Sequence, residues 1–191
     1  MKFEIILHQH TPLIVEQITD VPAFIDNNKE MLQAFLKFAA DQPNGVGLAA
    51  NQVSLNGERL MHRFFAAKNI KYGNWGLFVM PEITPFGMLE TKIEGCLTYP
   101  GKSIIAKRHR ACNMLYYNEH KTLVPETFIG FNAQIMQHEC NHLNGYEEEV
   151  VDRLDQHHAS LIERRNTRPN RNDSCPCGSL EKYKNCCLKL I

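Results

Sequence analysis

His138 and His142 stand four residues apart and enclose Glu139 in an HExxH pentapeptide. An α-helix turns once in about 3.6 residues, so side chains four apart share a face and both imidazoles can reach one ion. Two such ligands with a position left open are the layout of a catalytic metal site, where the ion activates water near neutral pH. Glu139, between the two, is placed to take that water's proton and return it to a leaving group. Upstream, Cys96 in Glu94-Gly95-Cys96-Leu97 offers a thiolate as the third ligand.

A helix and a scaffold must position these groups. The 191 residues make one ordinary domain with room for a small appendage. Formal net charge is zero, which argues against a general nucleic-acid or membrane coat. No secretory signal and no run of about 20 apolar residues stands out, and the odd count of seven cysteines does not read as a disulfide framework. The expected compartment is the cytoplasm. Strands are predicted over residues 3–7, 59–65, 76–79, 83–93, 103–107, 111–117 and 122–124. Apolar spacing predicts helices over about 27–40 and 131–143, the second ending at Asn144-Gly145. Val150, Val151 and Leu154 suggest a short apolar element, followed by a polar helix to about Arg165. The fold class is α+β, with the HExxH helix packed on β-structure.

Three segments in order, Gly45-Val46-Gly47-Leu48-Ala49-Ala50-Asn51-Gln52, then EGCL, then QHECNHLNG, resemble the signature motifs of the peptide deformylases. Those enzymes remove the formyl group from the initiator methionine of new bacterial proteins. The resemblance covers roughly residues 1–165 and implies mixed β-sheets packed around a central HExxH helix. It implies that Cys96, His138 and His142 hold one divalent metal, Fe(II) first, with Zn, Ni or Co as substitutes, and that Glu139 shuttles protons. By the same resemblance the side-chain amide of Gln52 and the backbone N–H of Leu97 stabilise the oxyanion. Gly45, Val46, Gly47 and Gly95 would line the bound formyl-Met peptide, which pairs like an added strand.

Three departures stand out. Asn141 replaces the family's usual aspartate inside the pentapeptide, Thr98 replaces a serine after EGCL, and Lys102 and Ser103 occupy the region where many relatives place a substrate-contacting arginine. By the same resemblance Arg108 corresponds to a second, structural arginine of the family. Cys112 and Cys140 read as packing residues. One rival keeps the third ligand open: HECNHLNGYEE also fits HExxHxxGxxE, similar to the metzincin protease pattern, with Glu148 as the ligand. A rival of another class is a non-catalytic adaptor that binds nascent-chain N-termini or the ribosome.

Beyond a linker at 166–173, residues 174–191 carry Cys175, Cys177, Cys186 and Cys187. This cluster resembles the SEC-C motif, and four thiolates fill a tetrahedral zinc shell with no open position, so the site is structural. Such a short module has no core of its own and takes its folding energy from the metal. From Glu163 onward seven basic residues stand against three acidic ones, with Arg164, Arg165, Arg168 and Arg171 ahead of the cluster. That excess suits docking on the ribosome or an export chaperone, without a membrane or a sequence-specific nucleic-acid partner.

Overall fold

A long antiparallel hairpin is the spine of the molecule in its computed structural model, which describes residues 1–7, 14–146, 149–153, 170–175 and 181–190, with backbone alone at 187 and 190. The elements in chain order are β1 (Phe3–Ile5), α1 (Val21–Asn27), α2 (Lys29–Ala40), β2 (Gly47–Ala49), β3 (Val53–Leu55), β4 (Glu58–Arg59) and β5 (Phe64–Lys68). Then come β6 (Trp75–Glu94), β7 (Lys102–Tyr117), β8 (Leu123–Ile129), α3 (Phe131–Asn144) and β9 (Glu149–Asp152). One sheet runs β1-β3-β4; the larger runs β2-β5-β6-β7-β8, with β9 also paired to β7. The expected α+β class holds.

The hairpin differs from the sequence reading because β6 and β7 are each one continuous strand, not two. β6 survives Pro81 by bulging there: the register on β7 shifts between Val79 and Glu82 and again between Phe86 and Leu89. A proline has no N–H for the ladder and is tolerated in a strand at such a bulge. β7 survives the polar run at Arg108-His109-Arg110 because Arg108 is buried in an ion pair. The predicted 59–65 strand divides instead into β4 and β5, and the predicted 122–124 strand extends to Ile129. Helix α1 was not anticipated. Asp20 caps it by accepting from the Ala23 N–H at 3.0 Å, and Pro22 sits in its first turn, so the start signal was present in the sequence.

Successive side chains of β5 are buried on alternate faces and divide the core in two. Phe64 and Ala66 face a cluster with Leu32, Phe35 and Ala39 of α2, while Phe65 and Ala67 face a cluster with Ala133, Met136, Cys140 and Leu143 of α3. Successive strand side chains point to opposite faces, so a sheet covered on both sides needs this continuous apolar run. The sheet is thus sandwiched, and α3 lies on the face that the hairpin curls around. Gly145, at φ 66°, ends α3 in the left-handed conformation a glycine adopts freely. The Tyr146 N–H then reaches the Asn141 carbonyl at 3.0 Å and the Gly145 N–H reaches that of His142 at 3.2 Å, so the last helical carbonyls are satisfied.

The C-terminal segment seats on the hairpin. Cys175 and Tyr183 are buried against Met88 of β6, with Cys186 and Leu188 packed alongside. Backbone bonds from Tyr183 to the Asp173 carbonyl (2.8 Å) and from Lys184 to that of Arg171 (2.9 Å) tie the segment together. Cys177, Glu148, Leu154, the polar helix to Arg165, and Arg164, Arg165 and Arg168 lie outside the described residues. Among those described, no helix is long and apolar enough to cross a membrane.

Met88 is 4% exposed and Tyr183 2%, so most of the seat's energy is apolar burial. Removing a buried methionine side chain typically costs about 2–5 kcal/mol. Met88→Asp is therefore expected to release residues 170–190 while the two main cores stay folded. Limited proteolysis with mass mapping checks this, and a tail equally protected in both proteins contradicts the seat.

Candidate active site

Three elements converge on the open face of the cleft. The segment from β2 into a single helical turn, Ala50–Gln52, supplies Gly47 and Gln52; the end of β6 supplies Glu94 and, just beyond it, Cys96; α3 supplies His138, Glu139 and His142. The cleft encloses about 670 Å³, within the range of small-ligand sites. Its lining includes Gly45, Val46, Gly47, Gln52, Gly95, Cys96, Leu97, His138 and Glu139. The structure therefore brings together the residues that the sequence predicted for this site.

The donor atoms of Cys96, His138 and His142 all lie within 4.8 Å of one another. His142 Nε2 is 3.0 Å from His138 Nε2 and 3.4 Å from Cys96 Sγ. One soft thiolate and two imidazoles on a shared face suit a divalent transition metal. The ring of His138 is already turned for the purpose: its Nδ1–H donates to Glu94 Oε2 at 2.8 Å, leaving Nε2 toward the other two donors. Such a carboxylate behind a histidine fixes tautomer and orientation. The donor set fits the ion expected of it.

Glu94 is the residue whose role sequence reasoning missed, although it opens the EGCL motif. Arg108 grips it with two parallel bonds, Nε to Oε1 at 2.9 Å and Nη2 to Oε2 at 2.7 Å. Both side chains are almost wholly buried. Burial pushes the Glu94 carboxyl up, but the bonds from His138 and Arg108 outweigh it and hold the group down at about 2. The carboxylate therefore stays charged behind His138. Burial likewise pushes the Cys96 thiol up, and the neighbouring His142 and His138 overcome it and hold the thiol well below its ordinary value. Burial lowers His138, and Cys96 and Glu94 overcome that and raise it well above the usual imidazole range. An ion that enters must displace a proton from this thiolate–imidazolium group.

Around the sulfur, Gln52 Nε2 donates to Thr98 Oγ1 at 2.7 Å and to Cys96 Sγ at 3.3 Å, while its Oε1 accepts from the Ala49 N–H at 2.8 Å. Thr98 Oγ1 is itself 3.2 Å from Cys96 Sγ, so the hydroxyl that threonine shares with serine is in use. Asn51, also missed, donates from Nδ2 to the His142 carbonyl at 2.6 Å and locks the Ala50–Gln52 turn to the end of α3. At Gly47 an added Cβ would collide with the Glu139 carboxyl, so glycine there leaves the space in which Glu139 sits. At Gly95 a Cβ would meet nothing within 4 Å; the space it leaves belongs to the cleft. Cys112 and Cys140 are buried in the α3 core, and burial pushes both thiols up to about 12. They pack, as expected.

Comparison with known proteins agrees with this geometry. The polypeptide deformylase family model matches residues 3–159, and the SEC-C motif model matches residues 171–189. A peptide deformylase of Thermotoga sp. (strain RQ2) is 32% identical over 146 residues, which is 75% of this chain and 82% of that one. The crystal structure of peptide deformylase from Thermotoga maritima superposes with a TM-score of 0.64 at 26% identity, covering 76% of this chain and 93% of the other. An Acinetobacter baumannii peptide deformylase crystallised with Met-Ala-Ser bound gives 0.57 at 26% identity, covering 74% and 92%. This chain belongs to the polypeptide deformylase family, a family of hydrolases, and carries a SEC-C motif toward its C-terminus.

Proposed function

We propose that the protein hydrolyses the N-formyl group from the terminal methionine of newly made polypeptides and releases formate. The observation that carries this reading is the close group of Cys96, His138 and His142, with Glu139 beside it on α3 and facing the same cleft. Cys96, His138 and His142 would hold the catalytic ion, Fe(II) in the first place, with Zn, Ni or Co able to replace it. When bound, the ion supplies a Lewis acid that polarises the amide and lowers the pKa of water. Glu139 takes the proton from the attacking water and delivers it to the departing methionine amine. The Gln52 amide and the Leu97 N–H receive the charge that grows on the formyl oxygen. To do so, Gln52 exchanges its bond to the Cys96 sulfur for one to that oxygen and keeps its bond to Thr98.

The substrate backbone would lie along Gly45, Val46, Gly47 and Gly95. The Met-Ala-Ser peptide on the Acinetobacter baumannii relative supports a methionine-led peptide in such a cleft. Cys96 beside the two histidines supports a thiolate as third ligand over Glu148, and membership of a hydrolase family stands against the adaptor reading. In the tail, Cys175, Cys177, Cys186 and Cys187 would hold one structural zinc, and the basic residues before them would dock on the ribosome or an export chaperone in the cytoplasm.

Formate release from a formyl-Met peptide tests the reading directly. Glu139→Gln is expected to keep the ion and lose about 10²–10⁴ in turnover, because only the proton transfer is removed. Equal loss of bound metal would make Glu139 a ligand instead. Glu94→Gln should weaken metal binding about 10–100-fold, since the group behind His138 loses its charge; a competition titration with a chelator reads this, and unchanged affinity would reduce Glu94 to packing. Truncation before Asn166 should remove one equivalent of zinc and weaken ribosome co-sedimentation most at low salt. Zinc content that survives the truncation would refute the tail site.

A further inference from the structure

The mouth of the cleft carries charge that the chemistry at its floor does not use. Among the described residues, the two acidic ones in the lining, Glu94 and Glu139, are both buried at the floor. The two cations outside them, Lys102 and Arg153, are exposed at the mouth. Lys102 opens β7 and Asp152 closes β9; the two residues face each other in register, and their side chains meet at 2.6 Å. That contact neutralises Lys102. Arg153 follows Asp152 directly, and among the described residues no carboxylate pairs with it. Among the described residues the rim is therefore left with one guanidinium that no carboxylate pairs.

The substrate of the proposed reaction makes this charge selective. Formylation removes the positive charge of the chain's N-terminus, and methionine brings none. The first charge that the peptide carries belongs to the side chain of its second or third residue, where the chain leaves the floor for the mouth. We propose that Arg153 forms a subsite that favours an acidic side chain at the second or third residue of the formyl-Met peptide. The subsite rests on the deformylase reading, since it needs a peptide whose blocked end occupies the floor. Guanidinium suits the role because its planar fork can bind a carboxylate with two parallel bonds. At an exposed rim the attraction is screened by salt, so the gain is a few-fold and sensitive to ionic strength.

The test uses the full-length, metal-loaded protein and C-terminally amidated formyl-Met tripeptides and tetrapeptides with Glu, Ser or Lys at the second or third position. Amidation removes the terminal carboxylate, which would otherwise mimic the acidic side chain. The expected result is a kcat/KM for Glu about three- to tenfold above that for Lys at low ionic strength, shrinking toward one at about 0.5 M salt. Arg153→Glu should invert the order, each value being referred to the Ser peptide on the same protein. Equal kcat/KM for Glu and Lys on a protein that turns over the Ser peptide overturns the subsite and leaves the deformylase reading intact. A preference that survives both salt and Arg153→Glu shows that its source is elsewhere, and the subsite is overturned again. No formate from any peptide overturns both.

Discussion

The carboxylate of Glu94 is kept charged inside the protein, and much of the site's geometry follows from that. A buried charge is tolerated only when it is paired and hydrogen-bonded, and Glu94 meets both conditions through the two-pronged contact with Arg108 and the bond from His138. Breaking such a pair typically costs about 3–5 kcal/mol, because the remaining charge is stranded. The pair therefore pins the end of β6 to the middle of β7 and both strands to α3. Cys96 lies two residues beyond Glu94, so the same contact sets how closely the thiol approaches the histidines.

The hairpin explains how one chain places these groups so accurately. Two bulges let β6 run for twenty residues across the molecule while turning with the curve around α3. At the second bulge the Gly87 carbonyl lies 2.9 Å from His109 Nδ1, and Gln137 of α3 bonds to both the N–H and the carbonyl of His109. Gln137 is the residue before His138. The helix bearing the imidazoles is thus fastened to β7 by a side chain next to the first of them, and to the Ala50–Gln52 turn by Asn51 at the second. Each imidazole is flanked by a tie to a different element, which rigidly supports the spacing that an HExxH helix supplies.

The chemistry was legible in the sequence because it is carried by residue types at fixed spacing. HExxH needs only helical periodicity to bring His138 and His142 together, and the motif residues of the first two segments did meet them in one cleft. What was illegible depended on partners far away in the chain. Arg108 could be read as a structural arginine and Glu94 as the first residue of EGCL, but that the two pair with each other out of water, and so let β7 continue through a run of cations, needs the tertiary contact. The predicted strands over 76–79 and 83–93 leave Pro81 between them, and only the register shift beside it shows that the strand runs on. Helix α1 is short, and its capping aspartate and proline outweighed a weak apolar pattern. These are failures of local reading where a tertiary contact decides the outcome.

The tail adds a constraint on the same strand. A segment of this size cannot bury much apolar surface within itself. It finds that surface at Met88, inside the second bulge of β6 and six residues before Glu94. Tyr183 and Cys175 cover a methionine that would otherwise be an apolar patch on the outer part of the hairpin, and methionine's unbranched chain adapts to an irregular seat. The polar chain between the two parts therefore does not make them independent. Apolar burial joins them at Met88, and Met88 lies on the strand that delivers Glu94. The strand that brings Glu94 behind His138 thus also seats the appendage.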